Sequence, residues 1–246
     1  MTGAGAGIGA ACARALAAAG AAVAVADIDR ATADSVTAAI TGAGGQALAV
    51  HLDVADEASC RRCVDTVAGA FGGLDILVNN AGIQRYGDVV ETTPELWHEV
   101  LGVNLTGVFL MSHLAAPHLL GAPAATVVNI ASVQSFRSQR RVAAYAASKG
   151  GVLQLTRSMA IDLGPRVRVN AVCPGSVDTP MLRWAAGVHG VDPDVAVSEW
   201  GASTPLQRVA TAEEVAETVL FLAGPRSGCT TGAAHVIDGG LTVGLP

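Results

Sequence analysis

The sequence of 246 residues has almost no lysine: fourteen of its fifteen basic residues are arginine, and Lys149 stands alone. Basic residues are also outnumbered, 15 to 21, for a formal net charge of −6. That balance excludes a nucleic-acid partner, because phosphate binding needs concentrated positive charge. Aromatic residues are scarce at 4%, with Tyr86 and Tyr145 the two tyrosines. Charged residues reach only 15% against 51% apolar, which excludes a disordered chain and implies a large buried core. The five cysteines (Cys12, Cys60, Cys63, Cys173, Cys229) are odd in number and scattered. A disulfide framework is therefore not expected, and a reducing, cytoplasmic compartment is. Cys60 and Cys63 lack the second Cys or His pair that would complete a zinc site, so no metal is expected. No window of eighteen uncharged apolar residues occurs, and the Ala-rich start lacks the positive n-region of a secretory signal, so no membrane partner is expected. Repeats and low-complexity linkers are missing too. Residues 1–246 read as a single domain, long by the usual size but normal for an α/β unit.

Glycine, by contrast, is plentiful at 29 residues, and a dense set opens the chain in Thr2-Gly3-Ala4-Gly5-Ala6-Gly7-Ile8-Gly9. A helix pattern follows over 10–19. Glycines at this density before a helix let backbone N–H groups and the helix N-terminus approach a pyrophosphate. The next apolar run, 21–26, ends at Asp27, about twenty residues downstream, where a dinucleotide fold places the acid that binds the ribose hydroxyls. A carboxylate there accepts from a 2′-OH and repels a 2′-phosphate, which favours NAD over NADP. Arg30 is the counter-argument, since it could reach a 2′-phosphate.

From there strand and helix patterns alternate at the lengths of βαβ units, which predicts a doubly wound (Rossmann) parallel sheet flanked by helices. Helix 31–40 leads to strand 47–52, ending at Asp53-Val54. Helix 56–71 leads to strand 74–78, ending at Asn79-Asn80-Ala81-Gly82. Thr93 as N-cap and Pro94 behind it begin one long helix to about 120 that includes Asn104. Strand 125–130 delivers Ser132, and strand 166–173 ends at Pro174-Gly175. Residues 176–205, with two Trp among Gly and Pro, have the composition of a lid. Thr211 and Glu214 form a capping box ahead of a helix, and 233–237 is a last strand. Chemically capable residues thus follow strand after strand at the C-terminal edge, where open parallel sheets bind ligands.

Tyr145-Ala146-Ala147-Ser148-Lys149 holds the single lysine four residues from one of the two tyrosines. On a helix that spacing sets ammonium beside phenol. A phenol of pKa ~10 is a poor base at neutral pH, and a neighbouring positive charge lowers that value. Tyr145 then becomes a proton donor or acceptor.

Over essentially its whole length the chain resembles the short-chain dehydrogenase/reductase family. The glycine loop matches TGxxxGxG at Gly3, Gly7 and Gly9, with Ile8 inside it; NNAG matches at Asn79 to Gly82; and Ser132 precedes the YxxxK run of Tyr145 and Lys149. The resemblance implies catalytic roles for Asn104, Ser132, Tyr145 and Lys149. Tyr145 would exchange the hydroxyl proton, Lys149 would lower its pKa and bond the nicotinamide ribose, Ser132 would bond the reacting oxygen, and Asn104 would hold a relay water or mark a helix bend. It implies cofactor contacts at Gly3, Gly7, Ile8, Gly9, Asp27, Ile28, Asp53, Val54, Asn80, Ala81, Gly82, Tyr145, Lys149, Pro174, Gly175, Val177 and Thr179. It also implies a homotetramer formed through the helices around 97–119 and 149–163. One departure stands out: family members begin with an apolar strand ahead of the glycine loop, and this sequence has none. Its neighbours in the sheet would then have unpaired backbone, and a truncated or misassigned start is expected.

For substrate, Gln84, Gln134, Arg140, Arg141 and Arg183 are the candidates. Arg forks and amides suit an anionic or hydroxylated small molecule such as a sugar, polyol or hydroxy acid. The same arginines also suit a solvated rim with salt bridges. An NAD-dependent dehydrogenase of a secondary alcohol is the leading function. An NADPH-dependent reductase of acyl-carrier-bound ketones and a non-catalytic dinucleotide-binding protein are the alternatives. Asp27 argues against the first, and the Ser132, Tyr145 and Lys149 set against the second.

Overall fold

The computed structural model describes residues 1–244. Six strands run parallel: β1 (Ala22–Asp27), β2 (Gln46–His51), β3 (Ile76–Asn79), β4 (Ala125–Ile130), β5 (Val167–Pro174) and β6 (Ala234–Ile237). β1 pairs with β2, while β3, β4, β5 and β6 lie side by side in that order. Successive residues of β4 face opposite layers, as strand geometry demands. Val128 joins a core built with α1 (Gly7–Ala18), α2 (Arg30–Gly42) and α9 (Ala212–Ala223). Val127 joins another with α3 (Glu57–Phe71), α5 (Gly107–Gly121) and α6 (Ala143–Leu163). Leu222 anchors the first layer and Leu119 the second, both with no exposed surface. Full burial of such a side chain stabilises by about 2 kcal/mol, so two covered faces account for the near-continuous apolar strands.

Between β1 and β3, at their C-terminal ends, run Met1 to Ala4. The Thr2 amide donates to the Val78 carbonyl at 3.0 Å, and the amides of Ala26 and Ala4 bond the carbonyls of Met1 and Ala26 at 3.1 Å each. The expectation of unpaired neighbours is therefore corrected at the C-terminal end of β1 and β3, the end that carries the site.

The caps follow the sequence. Thr93 accepts from Leu96 to begin α4 (Pro94–Leu101), and Thr211 and Glu214 close a full capping box on α9. The long helix through Asn104 is less regular than its pattern implies: a π-helical turn, Gly102–Thr106, separates α4 from α5. The 28 residues Pro94–Gly121 are long and apolar enough to cross a membrane by length and composition, with an 18-residue window of mean hydropathy 1.4. Here Met111, Ala115 and Leu119 of this helix pack in the core. The lid is helical rather than irregular. α7 (Pro180–Val188) and α8 (Pro193–Ala202) each begin with proline behind a capping residue, Thr179 and Asp192.

Candidate active site

Two cavities meet end to end along the C-terminal edge of the sheet. The first, about 310 Å³, is bounded by Gly3, Gly7 and Ile8 of the glycine loop, Asp27 and Ile28 after β1, Asp53 and Val54 after β2, Asn80 to Gly82 after β3, and Thr179. Only glycine fits several of these places. A Cβ on Gly9 would lie 1.9 Å from the Gly3 carbonyl oxygen, and one on Gly3 would lie 2.8 Å from the Ala81 Cα. Gly3 and Gly7 also hold left-handed φ angles of 60° and 50°. Asn80 fastens the loop to the sheet: its Nδ2 donates to the carbonyls of Thr2 and Gly3 at 3.0 and 2.9 Å, and the Thr2 hydroxyl accepts from the Asn80 and Ala81 amides.

This groove fits an anionic dinucleotide on its own geometry. α2 and α3 have aspartate caps, Asp29 and Asp56, whereas no side chain caps α1. Its first-turn amides are left for a phosphate, as helix N-termini favour. At the far end Asp27 accepts from the amides of Gly5 (2.8 Å) and Asp29 (3.0 Å), one on each carboxylate oxygen. Those bonds fix its direction and leave further acceptor capacity. Arg30, the residue that argued for NADP, is turned along its own helix onto Asp34 at 3.0 Å.

The second cavity, about 220 Å³, shares Ile8, Asn80, Gly82 and Thr179 with the first and continues past Pro174, Gly175 and Val177. Ser132, Tyr145 and Lys149 form part of its wall. Ser132 ends the run after β4, caps a short turn (Val133–Ser135) and accepts from the Gln134 amide at 3.1 Å. The Ser135 hydroxyl bonds the Lys149 carbonyl at 2.7 Å, which ties this turn to α6. Lys149 is 4% exposed and donates to the Ile130 carbonyl at 2.8 Å; its ammonium sits 5.8 Å from the centre of the Tyr145 ring. Asn104 lies in the π turn, wholly buried. It accepts from the Ile83 amide (2.8 Å) and donates to the Ile83 carbonyl (2.9 Å) and the Ser148 hydroxyl (3.1 Å). A Cβ on Gly82 would lie 3.3 Å from Asn104 and 3.5 Å from the Lys149 ammonium, so the two groups are neighbours.

Burial governs the proton chemistry. Loss of water pushes the Tyr145 phenol up to about 12, with the Ser132 hydroxyl opposing the rise. The same loss pulls Lys149 down to about 8. The expected lowering of Tyr145 by Lys149 is thus not supplied by the protein alone, because desolvation outweighs it and the ammonium is turned to Ile130. Below the pair, Asn79 of β3 bonds Ser112 and Asn129, and Asn129 bonds Thr156, a buried network that locks β3, β4, α5 and α6 together.

The substrate candidates separate. Gln84 and Gln134 line the second cavity, along with Gln139; Arg140, Arg141 and Arg183 do not. Arg141 pairs with Glu91 at 3.0 Å, and Arg183 with Asp178 and Asp194 at 2.8 and 2.9 Å. Tyr86 and Trp200, from the loop after β3 and the lid, and Leu241, from the C-terminal segment, also line the wall, though none was singled out as a site residue from the sequence. Tyr86 stacks on Trp184 (6.1 Å) and meets His189 edge-on (4.8 Å). Its one signal was rarity, as the second of two tyrosines.

A family model described as enoyl-(acyl carrier protein) reductase matches residues 3–242. The 2-(R)-hydroxypropyl-CoM dehydrogenase of Xanthobacter autotrophicus is 42% identical over 79% of this chain and 78% of its own length. The trans-4-hydroxycyclohexanecarboxylate dehydrogenase of Sinomonas cyclohexanicum is 41% identical over 89% of this chain and 80% of its own. Among solved structures, a short-chain type dehydrogenase/reductase from Mycobacterium marinum superposes with a TM-score of 0.91 at 35% identity, covering 99% of this chain and 94% of that one. The chain belongs to the short-chain dehydrogenase/reductase family. It is an oxidoreductase that acts on CH–OH groups, and its family binds a nicotinamide dinucleotide.

Proposed function

We propose that the protein is an NAD(H)-dependent dehydrogenase of a secondary alcohol, with Tyr145 as the group that exchanges the hydroxyl proton. The observation that carries this reading is the meeting of Ser132, Tyr145 and Lys149 on a cavity that opens into a groove ending at Asp27. Bound in that groove, the cofactor supplies or takes up a hydride at the nicotinamide ring. The glycine loop and the uncapped start of α1 would hold its phosphates, Asp27 its adenosine ribose, and Pro174, Gly175, Val177 and Thr179 its nicotinamide end.

In oxidation the substrate carbon loses hydride as its O–H proton passes to Tyr145 in the phenolate form, which burial opposes and neighbouring positive charge favours. In reduction the phenol returns the proton as the carbon gains hydride. Ser132 donates a hydrogen bond to the substrate oxygen as its charge changes, a contribution that is largest in a site closed to water. Lys149 would supply positive charge beside the phenol once a bound partner draws its ammonium away from the Ile130 carbonyl. Asn104 keeps the Ile83 backbone and the tyrosine helix in register, through Ser148, whose hydroxyl donates to the Tyr145 carbonyl at 2.7 Å.

NAD rather than NADP follows from Asp27 and from the engagement of Arg30 by Asp34. Calorimetric titration tests this: NAD is expected to bind at least about tenfold more tightly than NADP, and Asp27→Ala to narrow the gap. Tighter binding of NADP by the unaltered protein would reject the assignment and favour the acyl-carrier reductase alternative.

A further inference from the structure

The second cavity is chemically one-sided. Among the described residues lining it there is no carboxylate and no guanidinium, and its only charged side chain is Lys149, already bonded to Ile130. Of the arginines nearest in sequence, Arg140 is exposed to solvent outside the wall and the others are held elsewhere. Arg85 pairs with Glu99 at 2.7 Å, Arg141 with Glu91, and Arg183 with two aspartates, while Arg137 donates to the Gly244 carbonyl at 3.3 Å. An anionic substrate would therefore lose its water without gaining a counter-charge, which is strongly unfavourable.

What the wall offers is apolar and aromatic surface from Met181, Leu182, Trp200 and Leu241, interrupted by the neutral amides of Gln84, Gln134 and Gln139, the amide of Asn80 being taken up by the glycine loop. An amide both donates and accepts, so it matches hydroxyl, carbonyl and carboxamide groups. Gln134 is the placed one. Its backbone amide bonds the Ser132 hydroxyl, and its Oε1 is buried with no hydrogen-bond partner among the described residues. Such an acceptor is disfavoured until a donor reaches it. Size sets a further limit. At ~30 Å³ per water the cavity has room for roughly seven waters, to be shared between the nicotinamide end and the substrate.

We propose that this cavity selects a small uncharged secondary alcohol, or its ketone, whose apolar body is about the size of a six-membered ring and which carries a second neutral group able to donate to Gln134. The inference rests on the redox reading above and deepens it. It also sets this chain apart from the relative named for a hydroxycyclohexanecarboxylate.

The test compares trans-4-hydroxycyclohexanecarboxamide, the matching carboxylate and cyclohexanol, first as substrates with saturating NAD and then as ligands of the NADH complex, where an alcohol binds without reacting. The carboxamide should exceed the carboxylate by roughly 100-fold and cyclohexanol by about tenfold in both readouts. Gln134→Arg should reverse the order of carboxamide and carboxylate. A carboxylate that binds as well as the amide, cyclohexanol that matches it, or no binding by any of the three would overturn the proposal. Preferential binding of the carboxamide with no turnover of any compound would leave the selectivity standing and remove the redox reading instead.

Discussion

On one side of the cavity Lys149 is 4% exposed and its ammonium is bonded to a backbone carbonyl inside the fold. On the other side Arg183 is 43% exposed and spans Asp178, at 36%, and Asp194, at 84%, in pairs that water reaches. The first side is built from β4, β5 and α6, where Ser132, Tyr145 and Lys149 are aimed by amides, hydroxyls and carbonyls that have little alternative. The second is α7 and α8, whose ion pairs run within the segment itself and whose Trp184 meets Tyr86 and Arg85 across the gap. Chemistry needs atoms held to a fraction of an ångström, and burial provides that. Admission of substrate would need a segment that can yield, and one braced by ion pairs open to water is the better suited of the two.

The largest effect expected is at the buried side. Tyr145→Phe removes one oxygen and nothing of the packing, so kcat/KM should drop by about 10³-fold or more, while NAD affinity measured by calorimetry stays the same. A variant retaining a tenth of the activity would show that another group exchanges the proton.

Lys149→Met sharpens the comparison by separating stability from function. Burial lowers the Lys149 pKa from 10.5 to about 8. Between those values the folded chain binds fewer protons than the unfolded one, so stability rises with pH across that window. Below about pH 8 the charged, buried ammonium weighs on the fold in full. The variant should therefore be more stable than the parent at pH 7 by about 2 kcal/mol, after roughly 1 kcal/mol is subtracted for the lost bond to Ile130. The gain should shrink as pH rises from 8 towards 10.5, read by urea denaturation at both ends, and activity should collapse throughout. A variant less stable at pH 7, with a gap indifferent to pH, would mean that the ammonium is no burden.

The two sides also differed in how far they could be read from sequence. The buried side is local: Ser132 follows a strand, Tyr145 and Lys149 share a helix, and strand ends carry Asp27, Asn80 and Pro174, so periodicity alone brings them to one edge. The signals at the lid were read for composition only. Thr179-Pro180 and Asp192-Pro193 are each a cap followed by proline at the first helical position, and both start helices. The arginine partners are another matter. Arg85 with Glu99, Arg141 with Glu91 and Arg183 with Asp194 meet across loops whose paths no periodicity predicts. Tyr86, Trp200 and Leu241 reach one wall from three distant segments. Periodicity gives no sign of the π turn at Asn104, since the pattern on either side is that of an ordinary helix, although a helix bend is one of the two readings of that residue.

The smallest effect expected is at Arg183, and it discriminates most finely. If its pairs only brace α7 against α8 and Asp178, Arg183→Ala should change stability little, as exposed ion pairs do. It should raise KM a fewfold with kcat nearly constant, for charged and neutral alcohols alike. Salt should then imitate the substitution. At 1 M ionic strength, where the screening length is ~3 Å, KM of the parent protein should drift towards that of the variant, and the variant should respond little. If Arg183 instead turns inward to meet substrate, the loss will be confined to anionic substrates and salt will depress both proteins. The lid would then be part of the recognition surface, and the division between a rigid wall that reacts and a yielding one that admits would fail at that residue.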